Sequence, residues 1–303
     1  MTNEEFKELI RKHGSNYALI TATRKRNPEQ IKMALDAGAD IDTKAEEYGA
    51  PLVFAASNGY TKTAKLLIDN GANVNAKRYY FDLPPLMCAT ANGHAKTAKL
   101  LIDNGANVNA KDNHDYTPLI WAAIGGNTKT AKLLIDNGAN VNAKDDERKT
   151  PLMHATMENR PEIVKLLIAA EADVNAKDHE RKTPLMFAME KGYTEITILL
   201  IKKGANVNAK DINGDTAFDK ARRHFSEISK AQKQDPEFRA ELFKTKEHLQ
   251  SKPRIKGVSG VVIADKITEM KYSDKIHGDI SPTLGKRLRE KITKEMMMQL
   301  KQR

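Results

Sequence analysis

One pattern of apolar and polar residues recurs along the first two thirds of the chain every 33 or 34 residues. The segment Leu66–Lys77 has the sequence LLIDNGANVNAK, and it returns almost letter for letter at Leu100–Lys111 and Leu133–Lys144. Looser copies of the segment end at Lys44, Lys177 and Lys210, so the closing lysines are 33 or 34 residues apart. A period of this length is typical of solenoids, in which each short unit buries its apolar face against its neighbours. The chain is therefore predicted to be a repeat array.

Each repeat is predicted to contain two helices and a hairpin. A second apolar block with the pattern Thr-Pro-Leu, or a variant of it, recurs at the same steps. Proline is favoured at the first position of a helix, where its missing N–H would be unpaired, and the preceding threonine can cap that end. The first helix should therefore begin at residues such as Pro118. The second helix should end at glycines such as Gly105, because glycine most easily adopts the left-handed conformation that closes a helix.

These features resemble the ankyrin repeat family over roughly Asn16–Asp219: Thr-Pro-Leu opens the first helix, Leu-Leu-Ile lies on the second, and Gly-Ala-Asn-Val-Asn-Ala leads into a hairpin. The resemblance implies an all-α repeat solenoid of helix-turn-helix units with β-hairpin loops. Two departures from the family pattern stand out. Glu171 occupies a glycine position, which we expect to weaken that junction by about 1 kcal/mol. The family's histidine after Thr-Pro-Leu is absent, and the residues at its position are Val53, Met87, Ile120, Met153 and Met186. These apolar side chains should make an apolar contact in place of the polar one.

Three segments are expected along the chain. Residues 1–15 form an N-terminal capping helix with Phe6, Leu9 and Ile10 at helical spacing, and residues 16–234 form an array of about seven units that includes a polar C-terminal cap. Residues 235–303 form a basic α-helical extension with an irregular segment at 251–280. The extension is predicted from Asp235-Pro236 and Ser281-Pro282, each typical of a helix start followed by apolar residues at helical spacing.

The formal charge of +10 is concentrated at the C-terminal end of the chain. Residues 1–218 have 29 Lys and Arg against 28 Asp and Glu, whereas residues 251–303 have 13 against 6. The repeats are therefore close to neutral, and contact with nucleic acid or an anionic membrane is expected only through the tail. The single cysteine, Cys88, excludes an intramolecular disulfide and suits a reducing compartment. We expect a cytoplasmic protein without signal peptide or membrane span; delivery into a host cell stays open as an alternative.

The sequence contains no arrangement of residues that is typical of catalysis. The eight histidines are scattered, and neither a phosphate-binding loop nor a nucleophile elbow has the required spacing. No enzyme activity, cofactor or metal site is therefore expected. His154 and Cys88 fall in the same repeat position as Phe54, Trp121 and Phe187, so both are interpreted as core residues.

Partner binding is expected where the repeats differ from one another. The resemblance implies a concave face of hairpin tips and exposed ends of first helices. Its centre is predicted at the three consecutive aromatic residues of a hairpin that is one residue longer than the others; the alternative is that one or two of these rings fold back onto the neighbouring repeat. The predicted partner-binding residues are Tyr79, Tyr80, Phe81, Asn92, His114, Tyr116, Ile124, Glu147, Lys149, Met157, Glu158, His179 and Lys182.

Two sets of basic residues offer further binding surfaces. The closing lysines form a ladder with one lysine per repeat, but an aspartate directly follows each of the last four and is expected to neutralise it. In the tail, a basic amphipathic helix presents Lys286, Arg287, Arg289, Lys291 and Lys294. This helix could pack on residues 236–250 of its own chain, enter the groove of a partner, lie on an anionic membrane or contact nucleic acid. The function predicted from the sequence is thus a monomeric, non-enzymatic scaffold or adaptor for an unidentified protein; the alternative is a protein that binds a membrane or nucleic acid through its tail while the repeats select a protein cargo.

Overall fold

The computed structural model describes residues 1–44, 49–76 and 83–222. The chain divides into two compact units, Met1–Ala172 (unit 1) and Asp173–Arg303 (unit 2), of which unit 2 is described as far as Arg222. Unit 1 contains helices α1 (Asn3–His13), α2 (Ser15–Lys25), α3 (Pro28–Asp36), α4 (Pro51–Ser57), α5 (Thr61–Asp69), α6 (Pro85–Ala91), α7 (Ala95–Asp103), α8 (Pro118–Gly125), α9 (Thr128–Asp136), α10 (Pro151–Met157) and α11 (Pro161–Ala169). Unit 2 contains α12 (Pro184–Glu190), α13 (Thr194–Lys202) and a helix that begins at Ala217.

Helix α1 packs on α2 and α3 at the start of unit 1. The Thr2 hydroxyl accepts the N–H of Glu5 and the Glu5 carboxylate accepts the N–H of Thr2, which forms a capping box. The side chain of Phe6 is fully buried, so this short helix covers apolar surface of the first repeat. An exposed apolar end of an array is thereby shielded from water.

The following repeats of unit 1 are helix pairs that stack in two layers. The first helices α4, α6, α8 and α10 pack in sequence on one another, and the second helices α5, α7, α9 and α11 do the same. Each first helix begins at the predicted proline. Thr117 and Thr150 cap α8 and α10, because their hydroxyls accept the N–H of Ile120 at 3.3 Å and of Met153 at 3.4 Å.

The apolar residues that replace the family's histidine lie in the core, as expected. The side chains of Val53, Met87, Ile120, Met153 and Met186 are at most 1% exposed. Burial of a side chain of this size contributes about 1.5–3 kcal/mol. An apolar contact therefore takes the place of a polar one at the start of each first helix.

The second helices are followed by a left-handed residue, as predicted. The φ angles are 92° at Gly71, 87° at Gly105, 83° at Gly138 and 86° at Gly204. Glu171 adopts the same conformation, with φ of 64°. A side chain in this region of φ and ψ is strained, whereas glycine is not. The expected strain at Glu171 is therefore present in the structure.

The repeated asparagines connect neighbouring repeats outside the helices. In unit 1, Asn75 accepts the N–H of Asn107 at 3.0 Å and donates to the carbonyl of Gly105 at 3.2 Å. Asn109 makes the equivalent bonds to Asn140 and Gly138, at 2.8 and 3.1 Å. The near-identity of these segments is thus explained by contacts that recur from one repeat to the next.

None of the helices within the described residues is both long and apolar enough to cross a membrane.

Candidate functional site

Among the described residues, four hairpins between consecutive repeats are each built around one buried aspartate. We call these residues the hairpin aspartates: Asp112 and Asp145 in unit 1, and Asp178 and Asp211 in unit 2. Each accepts its own hairpin's backbone N–H groups with one carboxylate oxygen. In the hairpin of Asp145, Oδ1 accepts the N–H of Glu147 at 3.0 Å and of Lys149 at 2.7 Å, while the N–H of Asp145 donates to the carbonyl of Lys149 at 3.1 Å. The side chain thereby satisfies backbone groups that the short turn cannot pair internally.

In three of the four hairpin aspartates, Asp112, Asp145 and Asp211, the second carboxylate oxygen contacts the side chain nine positions later, on the next first helix. Trp121 Nε1 donates to Asp112 Oδ2 at 3.0 Å, and His154 Nε2 lies 2.8 Å from Asp145 Oδ2. In unit 2, Lys220 Nζ lies 2.7 Å from Asp211 Oδ2, whereas the equivalent residue of Asp178 is Phe187, which has no donor. The hairpins of Asp112, Asp145 and Asp211 are therefore fastened to a helix by contacts whose chemistry differs between repeats.

The expected neutralisation of the lysine ladder by the aspartates that follow the lysines stays a prediction. The hairpin aspartates are buried, and their carboxylates accept backbone N–H groups of their own hairpins. Lys111 pairs with Asp115, at 3.1 Å.

The side chain of His154 is an internal hydrogen-bonding group, in line with its interpretation as a core residue. Burial lowers the pKa of His154, and the hydrogen bond to the Asp145 carboxylate offsets only part of this effect. The imidazole is therefore neutral at physiological pH and donates its Nε2–H to Asp145.

The hairpin aspartates of unit 2 differ in their titration. Burial raises the pKa of Asp178, although the N–H groups of Lys182 and Glu180 act in the opposite direction. Asp211 is also buried, but the hydrogen bond from Lys220 and those from backbone N–H groups hold its pKa below the usual value. The contrast follows from the residue nine positions later, which is an ammonium group for Asp211 and a phenyl ring for Asp178.

Three side chains of unit 1 form what we call the aromatic patch: Tyr116, Trp121 and His154. The ring of Tyr116 contacts both others edge to face, with centroid distances of 5.4 Å to Trp121 and 5.2 Å to His154. His154 is buried, whereas Tyr116 and Trp121 remain partly exposed. Burial raises the pKa of Tyr116, and the charge of Asp145 acts in the same direction. The patch is a partly apolar surface beside several carboxylates.

Several predicted partner-binding residues surround the aromatic patch. His114 is largely exposed, and its Nδ1 lies 3.1 Å from Asp146 Oδ2 on the next hairpin. The N–H of Asp146 also donates to the carbonyl of His114 at 3.1 Å, so the two hairpin tips are joined. Lys149 forms an ion pair with Glu147 and is mostly buried. The hairpins of Asp112 and Asp145 thus form one continuous surface with the patch.

The remaining predicted residues of unit 1 lie at the ends of first helices. Asn92 follows α6 and donates through Nδ2 to the carbonyl of Cys88 at 2.9 Å. Ile124 lies in the last turn of α8, Met157 ends α10, and Glu158 follows it with an exposed side chain. Asn92 therefore has a structural contact that the sequence analysis did not consider.

The other predicted residues fall in unit 2 or outside the described ranges. His179 is exposed on the hairpin of Asp178, and Lys182 Nζ lies 2.6 Å from Glu180 Oε2 and 5.9 Å from the centre of the Phe187 ring. The hydrogen bond to Glu180 raises the pKa of Lys182. Two predicted sets lie outside the described residues: Tyr79, Tyr80 and Phe81, and the tail residues Lys286, Arg287, Arg289, Lys291 and Lys294.

Two features of this surface were not predicted from the sequence. Trp121 was not among the predicted partner-binding residues, although its ring is partly exposed and belongs to the aromatic patch. Asp115, Arg148 and Arg181 have φ angles of 60°, 61° and 59° at the hairpin turns, in the left-handed region. The signal for the strained turns was the glycine at the matching position of the last hairpin, Gly214, with φ of 78°.

No group of three or more His, Cys, Asp or Glu side chains within the described ranges could hold a metal ion. Cys88 is a buried thiol in α6.

Comparison with known proteins agrees with the helix pairs and hairpins described above. A family model of ankyrin repeats in three copies matches residues 78–145 and 143–211, and a second ankyrin repeat model matches residues 52–102. Together they cover residues 52–211, which is more than half of the chain. The chain belongs to the ankyrin repeat family. Ankyrin repeats are generally protein–protein interaction modules, and proteins of this family are typically non-enzymatic.

Two curated relatives resemble short parts of this ankyrin repeat chain. Human ankyrin repeat and KH domain-containing protein 1 is 38% identical over 61 residues, which are 20% of this chain and 2% of the relative. A putative ankyrin repeat protein of Acanthamoeba polyphaga mimivirus is 38% identical over 56 residues, or 18% of this chain and 35% of the relative. The chain therefore spans only a minor part of the length of either relative.

Proposed function

We propose that the chain is a non-enzymatic scaffold or adaptor that binds a protein partner through the hairpins and first helices of its repeats. The observation that supports this most is the aromatic patch. The rings of Tyr116 and Trp121 are partly exposed, and the hydrogen bond from the Trp121 indole N–H to Asp112 holds the indole in place. Aromatic side chains held in one orientation lose little entropy on binding and dominate the energetics of many interfaces.

The opposite side of the repeats is less suited to specific binding. The second helices of unit 1 present lysine–aspartate pairs one turn apart, with Nζ to carboxylate distances of 2.9 Å for Lys65–Asp69, 2.8 Å for Lys99–Asp103 and 3.1 Å for Lys132–Asp136. All six side chains are more than half exposed. Such pairs are solvated and nearly identical from repeat to repeat, so they provide little to distinguish one partner from another.

The proposed interface extends to Tyr79, Tyr80 and Phe81, which we expect to anchor the partner. A pull-down from cell extract compares the intact protein with the Tyr79→Ala/Tyr80→Ala/Phe81→Ala variant and with Tyr116→Ala. Lys99→Ala, on the second-helix side, is the matched control. We expect the principal partner to be lost with the triple variant and with Tyr116→Ala and retained with the control. Equal recovery in all samples would refute the proposal.

We further propose that the protein acts as a monomer in a reducing compartment, with the cytoplasm as the expected location. Cys88 is the only cysteine and is buried, which suits such a compartment. Size-exclusion chromatography with light scattering tests the oligomeric state; a dimer mass at micromolar concentration would contradict it.

A second candidate function rests on the charge of residues 251–303, which contain 13 Lys and Arg but only 6 Asp and Glu. In this alternative the tail binds an anionic membrane or nucleic acid, and the repeats select a protein cargo. Deletion of residues 281–303 tests it. Unchanged binding to anionic liposomes and to DNA after this deletion would exclude the tail as the binding element.

A further inference from the structure

The aromatic patch lies in a surplus of negative charge, which indicates the chemistry of its partner. Asp146 and Glu147, on the hairpin next to Tyr116, have side chains that are 49% and 63% exposed. Glu158, directly after α10, is exposed as well. The charges of Asp145, Glu147 and Asp146 all act on the Tyr116 hydroxyl in one direction, and only Lys149 opposes them. Three carboxylates and one ammonium group thus act on the Tyr116 hydroxyl, which leaves an excess of negative charge beside this ring.

The rings themselves have the properties that bind a planar cation. Aromatic faces attract Lys and Arg side chains with about 0.5–2 kcal/mol, and the attraction is greatest for tryptophan. Trp121 is held by its hydrogen bond to Asp112, and Tyr116 is held between Trp121 and His154, so the rings need little reorganisation on binding. The hydroxyl of Tyr116 makes no hydrogen bond within the part of the chain that the structure describes.

We propose that the aromatic patch accepts an arginine or lysine side chain from a basic peptide segment of the partner. The cation lies against the exposed rings of Tyr116 and Trp121, and the carboxylates of Asp146, Glu147 and Glu158 provide complementary charge. This inference rests on the proposed function, since it names the chemistry of the partner for the same surface. It favours a basic peptide over an acidic one because like charges across an interface are repulsive.

The test is a selection from randomised 12-residue peptides displayed on phage, with the full-length chain as bait. Parallel selections use Tyr116→Ala, Glu158→Lys and Glu8→Lys. The last variant reverses the same charge on α1, where Glu8 is exposed and pairs only with Arg11 among the described residues. We expect peptides enriched in arginine and lysine from the intact chain and from Glu8→Lys, and loss of this enrichment with the two patch variants. Thermal unfolding of each bait confirms that it is folded.

The strongest selected peptide is then synthesised with its arginine unchanged or replaced by neutral citrulline, which has almost the same shape. We expect the citrulline peptide to bind about tenfold more weakly, measured by fluorescence anisotropy. Raising the salt concentration from about 50 to about 500 mM should weaken the arginine peptide more than the citrulline peptide.

Two outcomes would overturn the inference. If the selected peptides lack basic residues but depend on Tyr116, the partner chemistry is wrong while the binding surface stands. If no peptide depends on Tyr116, the aromatic patch is not a peptide-binding site. The pull-down described above is independent of this selection, because it follows whole proteins and includes the hairpin at residues 78–83. Loss of the peptide result alone therefore leaves the proposed function in place.

Discussion

The Nε2 atom of His154 lies 2.8 Å from Oδ2 of Asp145, and the two side chains are only 7% and 1% exposed. Asp145 thus joins the hairpin that it closes to the next first helix, and it does so through a titratable partner. Because the imidazole is neutral in the folded chain, the contact predicts how stability depends on pH.

We expect the free energy of unfolding to decrease as the pH falls below about 6.5, the ordinary pKa of histidine. Burial lowers the pKa of folded His154, so the unfolded chain binds a proton at higher pH than the folded chain does. Stability from this site is therefore complete above the unfolded pKa and is lost between the unfolded and the lowered folded value. Urea unfolding at several pH values between 5 and 8, as approximate limits, measures this dependence.

The matched variant for this measurement is His154→Trp, since Trp121 donates to Asp112 in the preceding repeat without titrating. Its unfolding free energy should depend less on pH than that of the natural chain over the same range. The account of His154 is wrong if both proteins lose stability equally.

Removal of a hairpin aspartate should destabilise the chain strongly. Asp145→Ala deprives the N–H groups of Glu147 and Lys149 of their acceptor and leaves buried His154 without its partner. Unsatisfied buried polar groups cost about 1–3 kcal/mol each, so a total loss of about 3 kcal/mol is expected. The control is Asp136→Ala, which breaks an exposed pair with Lys132 and should cost at most about 0.5 kcal/mol. If urea unfolding gives similar decreases in the free energy of unfolding for the two variants, the buried contacts of Asp145 contribute little to stability.

A donor supplied at position 187 should lower the pKa of Asp178. Phe187→Trp places an indole N–H nine residues after the aspartate, as Trp121 does for Asp112. In the natural chain the raised pKa means that protonated Asp178 favours folding at low pH and that this contribution disappears as the pH rises through that pKa. The added donor should reduce the cost of burying the ionised Asp178 carboxylate. The free energy of unfolding of the variant should therefore be about 1 kcal/mol higher at neutral pH.

NMR titration of the aspartate carboxyl carbons measures the pKa of Asp178 directly. Phe187→Leu is the control, because it changes the ring but adds no donor. An unchanged pKa in Phe187→Trp would mean that residue 187 does not reach the second carboxylate oxygen of Asp178.

Glycine at the strained turns should stabilise the protein. Arg148 and Glu171 have φ angles of 61° and 64°, in a region that costs a residue with a side chain about 1–2 kcal/mol. Arg148→Gly and Glu171→Gly should therefore each raise the unfolding free energy by about 1 kcal/mol, after allowance for the greater freedom of glycine in the unfolded chain. Gly138→Ala, at a φ of 83°, is the converse control and should lower it. Amide hydrogen exchange at residues 169–172 should slow in Glu171→Gly; a faster exchange would contradict the assignment of strain to this junction.

The sequence was sufficient to predict the repeats because their determinants are local and periodic. Proline at the first helical position, threonine before it and glycine after the second helix act within a few residues, and the structure has all three where the pattern placed them. The strain at Glu171 was predicted for the same reason, since the equivalent position of the other repeats is a glycine.

The roles of the hairpin aspartates could not be derived in the same way. The bond from Trp121 to Asp112 joins a turn to the following helix, and its existence depends on the path of the backbone between them. Likewise, Tyr116 contacts His154 of the next repeat, a pairing that only the stacking of two units brings about. The spacing of the sequence identified equivalent positions in successive repeats, but it did not show which side chains of neighbouring repeats are in contact.

The most direct test of the central claim is site-specific photocrosslinking of the partner in cells. A photoreactive phenylalanine replaces Tyr116 on the aromatic patch in one protein and Lys132 on the second-helix side in another, and crosslinked proteins are identified by mass spectrometry. We predict that one partner is crosslinked at position 116, at a segment rich in arginine or lysine, and is absent from the sample crosslinked at position 132. Crosslinks only at position 132, or equal ones at both positions, would contradict binding through the hairpins and first helices.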